Sequence, residues 1–249
     1  METISLQNRE LFDARFSASY HQIARHRFDS CLSFYENFSG KLLDVGCGDG
    51  FFASLVKERS NASVYGVDIS FENLKKARAR GVRIKRADIS AAKLPFSARS
   101  FDSVYCGEVL EHVVETEKLL EEFKRVLKPN GFLVVTVPNI ASWYNRLLLL
   151  FGQAPFWVES GARGSYGSFC NAPNLNGHVR AFNRRALAEL LNATGFSPVQ
   201  WKGAAFNLPA SLPSKKFRAS AKAFMLAERA FSARPSLSST LIVKAVLSD

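Results

Sequence analysis

The sequence lacks the features by which several common classes of protein are recognised. Its longest hydrophobic run, residues 147–151, is far too short to span a bilayer. The N-terminus has no basic segment leading into an apolar run, so no secretory signal is expected there. The cysteines form no C-x-x-C pair and have no metal-finger spacing: Cys31, Cys47, Cys106 and Cys170. Cysteines so widely separated favour reduced thiols, buried as small core residues of a cytoplasmic protein.

Acidic residues are in the minority. The chain has 33 Lys and Arg against 22 Asp and Glu, which gives a net charge of +11 and a pI near 9.7. The basic residues cluster at 75–86, 184–185 and 215–218. Solvated helix faces are the common reason for such clusters, and nucleic acid or anionic lipid headgroups are the alternative partners. At 249 residues, 47% of them hydrophobic, the chain has the size of one α/β domain with a full core.

Strand and helix patterns alternate from residue 41 to residue 137. Strands are predicted at 41–45, 63–68, 82–86, 101–105 and 132–137, and helices at about 50–59, 71–79 and 116–127. The last helix has the clearest pattern, with Thr116 as its N-cap and the Lys-Pro-Asn-Gly segment at 128–131 as its stop. Such alternation indicates a parallel sheet with helices on both faces and a ligand at the carboxyl ends of the strands.

The flanking segments differ in composition. Residues 9–38 are rich in helix formers and aromatics and have no proline or glycine, which predicts a helical N-terminal extension. Residues 139–181 are irregular and contain a tract of glycine, serine and asparagine, as expected of a lid or binding loop. The remaining elements are predicted as a helix capped by Asn183 with Gly195 at its C′ position, a strand near 197–202, a helix at 214–233 and a strand at 241–246.

Residues 42–50, Leu-Leu-Asp-Val-Gly-Cys-Gly-Asp-Gly, are the most informative stretch of the chain. Gly46, Gly48 and Gly50 remove Cβ atoms where a strand turns sharply into a helix and where a cofactor must touch the backbone. A nucleotide-derived cofactor is therefore the first hypothesis. The spacing is G-x-G-x-G and not the G-x-G-x-x-G of dinucleotide sites, which argues against NAD.

Two carboxylates in this stretch narrow the ligand class further. Asp44 and Asp49 would repel a pyrophosphate, whereas they would favour a ligand that carries an ammonium or a sulfonium group. S-adenosylmethionine carries both groups.

Three further motifs follow at the expected strand ends. They are an acidic residue ending the next strand (Asp68), an Ala-Asp pair at 87–88 and a Leu-Lys-Pro-Asn-Gly motif at 127–131. With these motifs the sequence resembles the class I S-adenosylmethionine-dependent methyltransferases over roughly residues 40–138, with a weaker echo in 177–182 and 190–196. The resemblance implies a Rossmann-like doubly wound sheet of about seven mostly parallel strands, with S-adenosyl-L-methionine as the cofactor.

The resemblance also implies roles for the matched residues at the adenosine end. Asp68 would accept hydrogen bonds from both ribose hydroxyls, and Ile69 follows it directly. Asp88 would accept a hydrogen bond from the adenine amino group, and Ile89 would pack on the ring.

At the methionine end, the resemblance places Asp44 near the ammonium group and Glu108 near the methyl group. Gly46 and Gly48 would offer their backbone to this end of the cofactor. Cys47 and Gly50 complete the cofactor loop, and Cys47 is also interpreted as a small buried residue. The whole chain, 1–249, is then one domain with four parts: an N-terminal extension (1–39), a cofactor-binding half (40–138), a lid or acceptor insertion (139–182) and a part that completes the sheet (183–249).

Residues 108–112, Glu-Val-Leu-Glu-His, put two carboxylates and an imidazole on one turn, a ligand set that suits a divalent cation. The element resembles that of metal-dependent O-methyltransferases of ubiquinone biosynthesis and of small-RNA 2′-O-methyltransferases, where a metal binds a vicinal diol or catechol. His178 matches a further histidine ligand of the RNA enzymes, so the predicted metal set is Glu108, Glu111, His112 and His178. The same string also occurs in this superfamily without a metal, where the histidine packs near the acceptor pocket.

Methyl transfer requires the acceptor to be held in line with the methyl group and, for a neutral acceptor, the removal of a proton. Of the four histidines, His21 and His26 fall in the predicted N-terminal helix. His112 and His178 are therefore the candidate bases, and Glu108 is the third catalytic candidate.

The acceptor is less well defined by the sequence. Aromatic residues of the insertion are expected either to line an acceptor site or to form a second hydrophobic cluster beneath a lid: Trp143, Tyr144, Phe151, Phe156, Trp157, Tyr166 and Phe169. Arg163 and Arg180 are candidates for binding a phosphate or carboxylate on the acceptor. We expect O-methylation of a small molecule, a lipid-linked intermediate or a glycan.

Three alternatives stay open at this point. RNA 2′-O-methylation would suit the net charge and the Glu-x-x-Glu-His element, although no dedicated RNA-binding module is visible. A scaffold that binds S-adenosylmethionine without catalysis is the second. The third is a peripheral membrane contact through the amphipathic helix at 214–233, with basic and aromatic residues Lys215, Lys216, Arg218, Lys222, Phe217, Phe224 and Phe231.

Overall fold

The computed structural model describes residues 18–91, 93–161, 166–167, 177–205 and 215–248. Predictions made for Arg163, Phe169, Cys170 and residues 1–17 lie outside the described residues. The described helices are α1 (Ala18–Ile23), α2 (Arg25–Leu32), α3 (Phe51–Arg59), α4 (Phe71–Ala79), α5 (Thr116–Val126), α6 (Trp143–Leu150), α7 (Arg184–Ala193) and α8 (Lys215–Ser232). The strands are β1 (Ser39–Val45), β2 (Asn61–Asp68), β3 (Arg83–Arg86), β4 (Phe101–Gly107), β5 (Leu127–Pro138), β6 (Phe196–Ala204) and β7 (Thr240–Leu247).

All seven strands form one sheet in the order β3-β2-β1-β4-β5-β7-β6. Strands β1 to β5 pair in parallel, and β7 pairs antiparallel with both β5 and β6. The predicted sheet of about seven mostly parallel strands is therefore confirmed. The strand order reverses between β1 and β4, and in such sheets the crevice at this reversal, beyond the carboxyl ends of the strands, is the usual ligand site.

Apolar residues cover both faces of the sheet. Leu42 and Leu43 are adjacent and completely buried, and they belong to two separate core clusters because neighbouring strand residues point to opposite faces. Phe28 and Tyr35 join the cluster that contains Leu42, so the N-terminal extension packs into the core. The extension is helical at α1 and α2, as predicted, and it lies next to the ligand end of the sheet.

Helix caps explain which helix boundaries could be read from the sequence. The Ser70 hydroxyl accepts a hydrogen bond from Asn73 N at the start of α4, and the Asn183 side chain accepts one from Ala186 N at the start of α7. Both helices begin where they were predicted. Gly195, just beyond α7, has φ +84°, which confirms its C′ position.

Two predictions about α5 are wrong. Thr116 is the first helical residue and not the N-cap, since its hydroxyl donates to Glu117 and residue 115 occupies the cap position without a side-chain bond. Residues 128–131 do not form a separate stop, because β5 already begins at Leu127, opposite Phe101. The register of β5 against β4 then shifts, and these four residues form an irregularity within the strand.

The insertion after β5 contains a helix, α6, that was not predicted. Trp143 and Tyr144 of α6 pack against Phe224 and Phe231 of α8. These two phenylalanines therefore face the protein, and the prediction that they belong to a membrane-contacting face of 214–233 is wrong. Within the described residues, no helix is both long enough and apolar enough to cross a bilayer.

Candidate functional site

A cavity of about 390 Å³ lies at the carboxyl ends of β1, β2 and β4. Its volume is in the range of small-molecule sites, about 300–1,000 Å³. Eleven of the thirteen predicted site residues line it: Asp44, Gly46, Cys47, Asp68, Ile69, Asp88, Ile89, Glu108, Glu111, His112 and His178. The other two, Gly48 and Gly50, belong to the same loop but are not among the lining residues. Motifs that are far apart in the sequence thus meet at one place, as the parallel sheet predicted.

The glycine loop is fixed by packing against its neighbours. The Gly46 and Cys47 amides both donate to the Val67 carbonyl, at 2.8 and 3.1 Å, which ties the loop to the end of β2. A Cβ atom on Gly46 would lie 2.4 Å from Val109 Cγ2, and one on Gly50 would lie 2.7 Å from Ala77 Cβ. Both glycines also have φ near +70°, a region that other residues rarely adopt. Gly50 is therefore needed for the packing of α4, whereas Gly46 lines the cavity itself.

Asp68 is held by backbone donors at the tip of β2. Its Oδ2 accepts from Gly48 N at 2.9 Å, and its Oδ1 accepts from Ser70 N at 2.8 Å. Asp88 accepts from Ser90 N at 2.9 Å at the start of a short 3-10 helix, Ile89–Ala91. Both carboxylates are therefore oriented by the protein before any ligand is present, and both reach the cavity.

Asp44 is buried at the end of β1. Its burial and the nearby charges of Asp68 and Asp49 raise the pKa of its carboxyl group well above the ordinary value. A cationic group on a ligand would relieve this crowding of negative charge. Burial, together with Asp44 and Asp68, likewise raises the pKa of the Cys47 thiol, which makes it a poor nucleophile and supports its interpretation as a small buried residue.

Asp49 also lines the cavity, and cationic side chains of the protein hold its carboxylate. Arg80 Nη2 lies 3.0 Å from Asp49 Oδ2, and His21 Nε2 lies 3.3 Å from the carboxylate. The negative charge of Asp49 is therefore compensated within the protein. Its pairing with His21 and Arg80 joins α1, the glycine loop and the end of α4.

His21, passed over as a candidate base because it falls in the N-terminal helix, lies at the cavity. His21 lines the cavity and stacks on Phe51, with the two ring centroids 3.9 Å apart and the rings 9° from parallel. No local motif marks this contact, since it depends on how α1 packs against α3, 30 positions along the chain.

Arg27 is a second site residue that sequence reasoning missed. It is 8% exposed, and its Nη1 lies 3.0 Å from Glu108 Oε2, while Nη2 donates to the Tyr20 hydroxyl at 2.8 Å. Although burial disfavours its charge, Tyr20 and Glu108 hold the pKa of Arg27 above its ordinary value. Glu108 Oε1 accepts from Thr136 Oγ1 at 2.9 Å, so both of its oxygens are engaged. The Glu108 backbone has φ +56°, a strained value for a residue with a side chain.

Glu111, His112 and His178 form a compact group in which one ligand atom from each lies within 4.8 Å of the others. His112 Nδ1 lies 3.0 Å from the Gly177 carbonyl, and His178 Nδ1 lies 3.1 Å from the Trp157 carbonyl. A carbonyl only accepts, so each Nδ1 carries a proton. His112 Nε2 lies 4.0 Å from Glu111 Oε1. Glu108, predicted as a fourth ligand, is not part of this group, because Arg27 and Thr136 hold its carboxylate.

The aromatic residues of the insertion divide between the two predicted roles. Trp157 lines the cavity, whereas Trp143, Tyr144 and Phe156 belong to the cluster against α8. Phe151 and Tyr166 are exposed. Arg180 is exposed and donates to the Val114 carbonyl at 2.6 Å, and it is not among the described residues that line the cavity.

The model of the methyltransferase domain family matches residues 43–135. The demethylmenaquinone methyltransferase of Thermus thermophilus is 31% identical over 166 residues, which cover 63% of this chain and 74% of that protein. The ubiquinone biosynthesis O-methyltransferase of Idiomarina loihiensis is 36% identical over 124 residues, which cover 45% of this chain and 51% of that protein. The human mitochondrial protein of the same name is 36% identical, with 32% of its length covered. The chain thus spans about half or less of these ubiquinone-biosynthesis relatives.

Solved structures resemble the chain over nearly its full length. The 1,6-didemethyltoxoflavin-N1-methyltransferase of Burkholderia thailandensis, solved with S-adenosylhomocysteine, has a TM-score of 0.55 at 19% identity, covering 100% of this chain and 86% of that one. The cyclase SpnF has a TM-score of 0.60 at 20% identity, covering 98% and 93%. At such identities the likeness shows the fold alone, and the two names illustrate that one fold supports different reactions.

Proposed function

Because the chain belongs to the class I S-adenosylmethionine-dependent methyltransferases, we propose that it transfers a methyl group from S-adenosyl-L-methionine to an oxygen of a small-molecule acceptor. One observation carries the proposal. The same cavity is lined by the carboxylates Asp44, Asp68 and Asp88 and by the Glu111, His112 and His178 group. Their common cavity supports a cofactor site next to a group that would activate an acceptor hydroxyl. The relatives named for quinone biosynthesis support a small aromatic acceptor.

The cavity chemistry fits this cofactor better than a phosphorylated one. Among the described lining residues, Arg27 is the only arginine or lysine, and it is paired with Glu108. Asp68 and Asp88 would hold the ribose hydroxyls and the adenine amino group, with Ile69 and Ile89 beside them. Asp44 would hold the ammonium group, and the Gly46 and Gly48 backbone would pack against the same end. When bound, S-adenosyl-L-methionine supplies an electrophilic methyl group on a sulfonium.

We assign the acceptor side of the reaction to the two histidines and Glu111. With a proton on Nδ1, the neutral form of either imidazole carries its lone pair on Nε2, and there it would accept the proton of an acceptor hydroxyl. The Glu108 carboxylate is paired with Arg27 and accepts from Thr136, so we assign it a positioning role near the methyl group and not the role of the base.

The side chains of the same group are suitable ligands for a divalent cation. Two imidazole nitrogens and one carboxylate are a common ligand set for a catalytic metal, and the carbonyls behind both Nδ1 atoms orient the rings as metal-bound histidines are oriented. We propose Glu111, His112 and His178 as the ligands. A cation there would lower the pKa of a coordinated catechol or vicinal diol.

The four-part division of the chain and a cytoplasmic location stay our predictions. The three described cysteines, Cys31, Cys47 and Cys106, are free and buried, as the cytoplasmic prediction expects.

Cofactor binding is tested with S-adenosylhomocysteine by isothermal titration calorimetry. Asp68→Asn and Asp88→Asn each remove a charged hydrogen-bond acceptor worth about 1.5–3 kcal/mol, so each is expected to weaken binding about 10- to 100-fold. Glu72→Gln, at an exposed site on α4, is the matched control and should bind as the wild type does. No binding by the wild-type protein would refute the proposal.

The acceptor class is tested by incubating the protein with S-adenosyl-L-methionine and a panel of catechols, hydroquinones and an RNA with a free 2′,3′-diol. Mass spectrometry then identifies any methylated product. Methylation of a catechol supports the proposal, and methylation of the RNA alone supports 2′-O-methylation instead. Binding without turnover on any member would favour a non-catalytic scaffold.

The metal is tested by elemental analysis of the purified protein and by titration of the chelated protein with Zn²⁺, Mn²⁺ and Mg²⁺. Glu111→Gln and His178→Ala should lower cation affinity at least tenfold, since each removes a ligand. Glu115→Gln, at an exposed position near Glu111, should leave it unchanged. Wild-type affinity in both ligand variants would refute the cation site while leaving the cofactor proposal intact.

A further inference from the structure

The end of α6 carries an exposed apolar surface, here named the α6 patch, that consists of Leu147, Leu149, Leu150 and Phe151. These side chains are 46%, 55%, 76% and 75% exposed. They account for four of the ten exposed large hydrophobic residues among those described, and they fall within five consecutive positions. Exposed apolar residues scattered singly are ordinary, but a contiguous group marks a contact surface.

A basic cleft begins where the patch ends. Arg146, the residue before Leu147, lines a cleft of about 510 Å³ together with Arg184, Arg185 and Trp201. The Arg184 guanidinium lies 5.1 Å from the centre of the Trp201 ring, and Arg185 is paired only at the surface, with Glu189. We name this surface the arginine cleft. Arg146 lines the cleft, where its Nε donates to the Ala141 carbonyl at 2.8 Å, and it directly precedes the first residue of the α6 patch.

The two arginines of α7 lie at the end of the helix where positive charge is unfavourable. Arg184 and Arg185 occupy its first turn, which has no acidic residue. Cations at the N-terminus of a helix oppose its dipole, so their presence does not stabilise α7. The positive charge of the cleft therefore favours an anionic partner.

The excess of basic residues falls in the part of the sequence that contains α6 and α7. Residues 123–249 contain 16 Lys and Arg against four Asp and Glu, whereas residues 1–122 contain 17 against 18. The net charge of +11 thus comes entirely from the second half of the chain, which includes Arg146 and the two arginines of α7.

We infer that the α6 patch and the arginine cleft dock the protein peripherally on an anionic phospholipid bilayer. Exposed leucines and a phenylalanine can enter the boundary of the acyl chains, while neighbouring arginines stay at the level of the phosphates. RNA is bound through stacking on aromatic side chains and through phosphate contacts, and three exposed leucines contribute to neither. A second copy of the chain would bring two arginine clefts together and be repelled. The inference does not depend on the identity of the methyl acceptor.

The test uses the full chain and flotation with two kinds of vesicle, phosphatidylcholine alone and phosphatidylcholine with about 30% phosphatidylglycerol, where the anionic lipid supplies the attraction. The wild-type protein should float with the anionic vesicles and not with the neutral ones. The double variant Leu150→Gln/Phe151→Gln should lower the partition coefficient at least tenfold. Phe71→Gln, an exposed phenylalanine on α4 near the opposite edge of the sheet, should partition as the wild type does.

The charge component is tested separately. Arg184→Gln/Arg185→Gln should reduce binding about 25-fold, since each arginine near an anionic surface contributes about fivefold. Lys75→Gln/Lys76→Gln, on exposed positions of α4, is the matched control and should have no such effect. Melting curves and S-adenosylhomocysteine binding should be unchanged in all four variants, which shows that they are folded.

Several outcomes would overturn the inference. Absence of flotation with anionic vesicles would do so, as would wild-type partitioning of the Leu150→Gln/Phe151→Gln variant. Binding of RNA without vesicles, lost in the arginine variant, would make the surface a nucleic-acid interface. A dimer in solution that Leu150→Gln/Phe151→Gln dissociates would make it a contact between copies of the chain.

Discussion

At the scale of one residue, the buried Asp44 carboxylate lowers the stability of the folded, ligand-free protein. Its raised pKa means that ionisation costs the folded state more than the unfolded state. The unfolded pKa is about 3.9, so stability is lost as the pH rises above that value and stays lower at neutral pH. We predict that Asp44→Asn raises the melting temperature of the ligand-free protein at pH 7 and weakens S-adenosylhomocysteine binding at least tenfold. Differential scanning fluorimetry and calorimetric titration measure the two effects.

The pH dependence of binding provides the control for this prediction. Below its raised pKa the Asp44 carboxyl group is neutral and no longer attracts the ligand ammonium. The affinity of the wild-type protein should therefore fall as the pH falls through that pKa, and the Asp44→Asn variant should lose this component of the dependence. Equal pH profiles for the two proteins would contradict the role of Asp44.

Two glycines with similar φ allow the cost of backbone strain to be measured separately from the cost of a steric clash. Gly50 and Gly152 have φ of +73° and +70°, but a Cβ atom would meet Ala77 at Gly50 and nothing within 4 Å at Gly152. Gly152→Ala should cost about 1–2 kcal/mol for the left-handed backbone alone. Gly50→Ala should cost a further 1–3 kcal/mol or so from overpacking against α4. Urea denaturation measures both, and equal losses would show that the contact with α4 is unimportant.

At the scale of elements, α2 connects the N-terminal extension to the cavity through Arg27. Arg27→Met would leave the Glu108 carboxylate without its cation in a largely buried place, at a cost of about 3 kcal/mol. We also expect a shifted Glu108 and weaker S-adenosylhomocysteine binding. Arg27→Lys should recover part of both losses. Denaturation and calorimetric titration provide the two readouts.

The neighbouring Arg25 is the control for α2. Its ion pair with Asp29 is exposed, so Arg25→Met should change stability by no more than about 0.5 kcal/mol and leave binding unchanged. A loss of stability in Arg27→Met with unchanged ligand affinity would assign Arg27 a structural role only. The double variant Arg27→Met/Glu108→Gln should be more stable than Arg27→Met, because it removes the uncompensated charge.

Elements whose ends are fixed by local chemistry were predictable, and those fixed by distant contacts were not. Helices α4 and α7 carry their own caps in Ser70 and Asn183, and Asp68 ends β2 at the carboxyl edge of the sheet. Helix α6 was missed because its apolar run at 147–151 is largely exposed and does not have the periodic spacing of a helix with one buried face. His21 and Arg27 were missed because their partners, Asp49 and Glu108, lie far along the chain. Local motifs thus predicted the part of the cavity that the strand ends form. The part formed by the N-terminal extension depends on long-range packing and could not be predicted.

At the scale of the whole molecule, the cavity is lined by parts of the chain that are far apart in the sequence. The strand ends supply Asp44 and Asp68, α1 and α2 supply His21 and Arg27, and the insertion supplies Trp157. A ligand that contacts all three parts stabilises them together. The gain is about 2.7 kcal/mol at a ligand concentration of 100 times Kd.

This coupling predicts the pattern of hydrogen exchange. Saturating S-adenosylhomocysteine should slow exchange in the glycine loop and also in α1 and α2, because His21 and Arg27 bind the two loops that we propose as parts of the cofactor site. For openings that expose the site, a stabilisation of about 2.7 kcal/mol corresponds to roughly 100-fold slower exchange. Helix α7 does not line the cavity and is the internal control, whose exchange should change only through global unfolding. Protection confined to the glycine loop and the end of β2 would contradict the coupling, since it would show that the N-terminal helices open independently of the ligand.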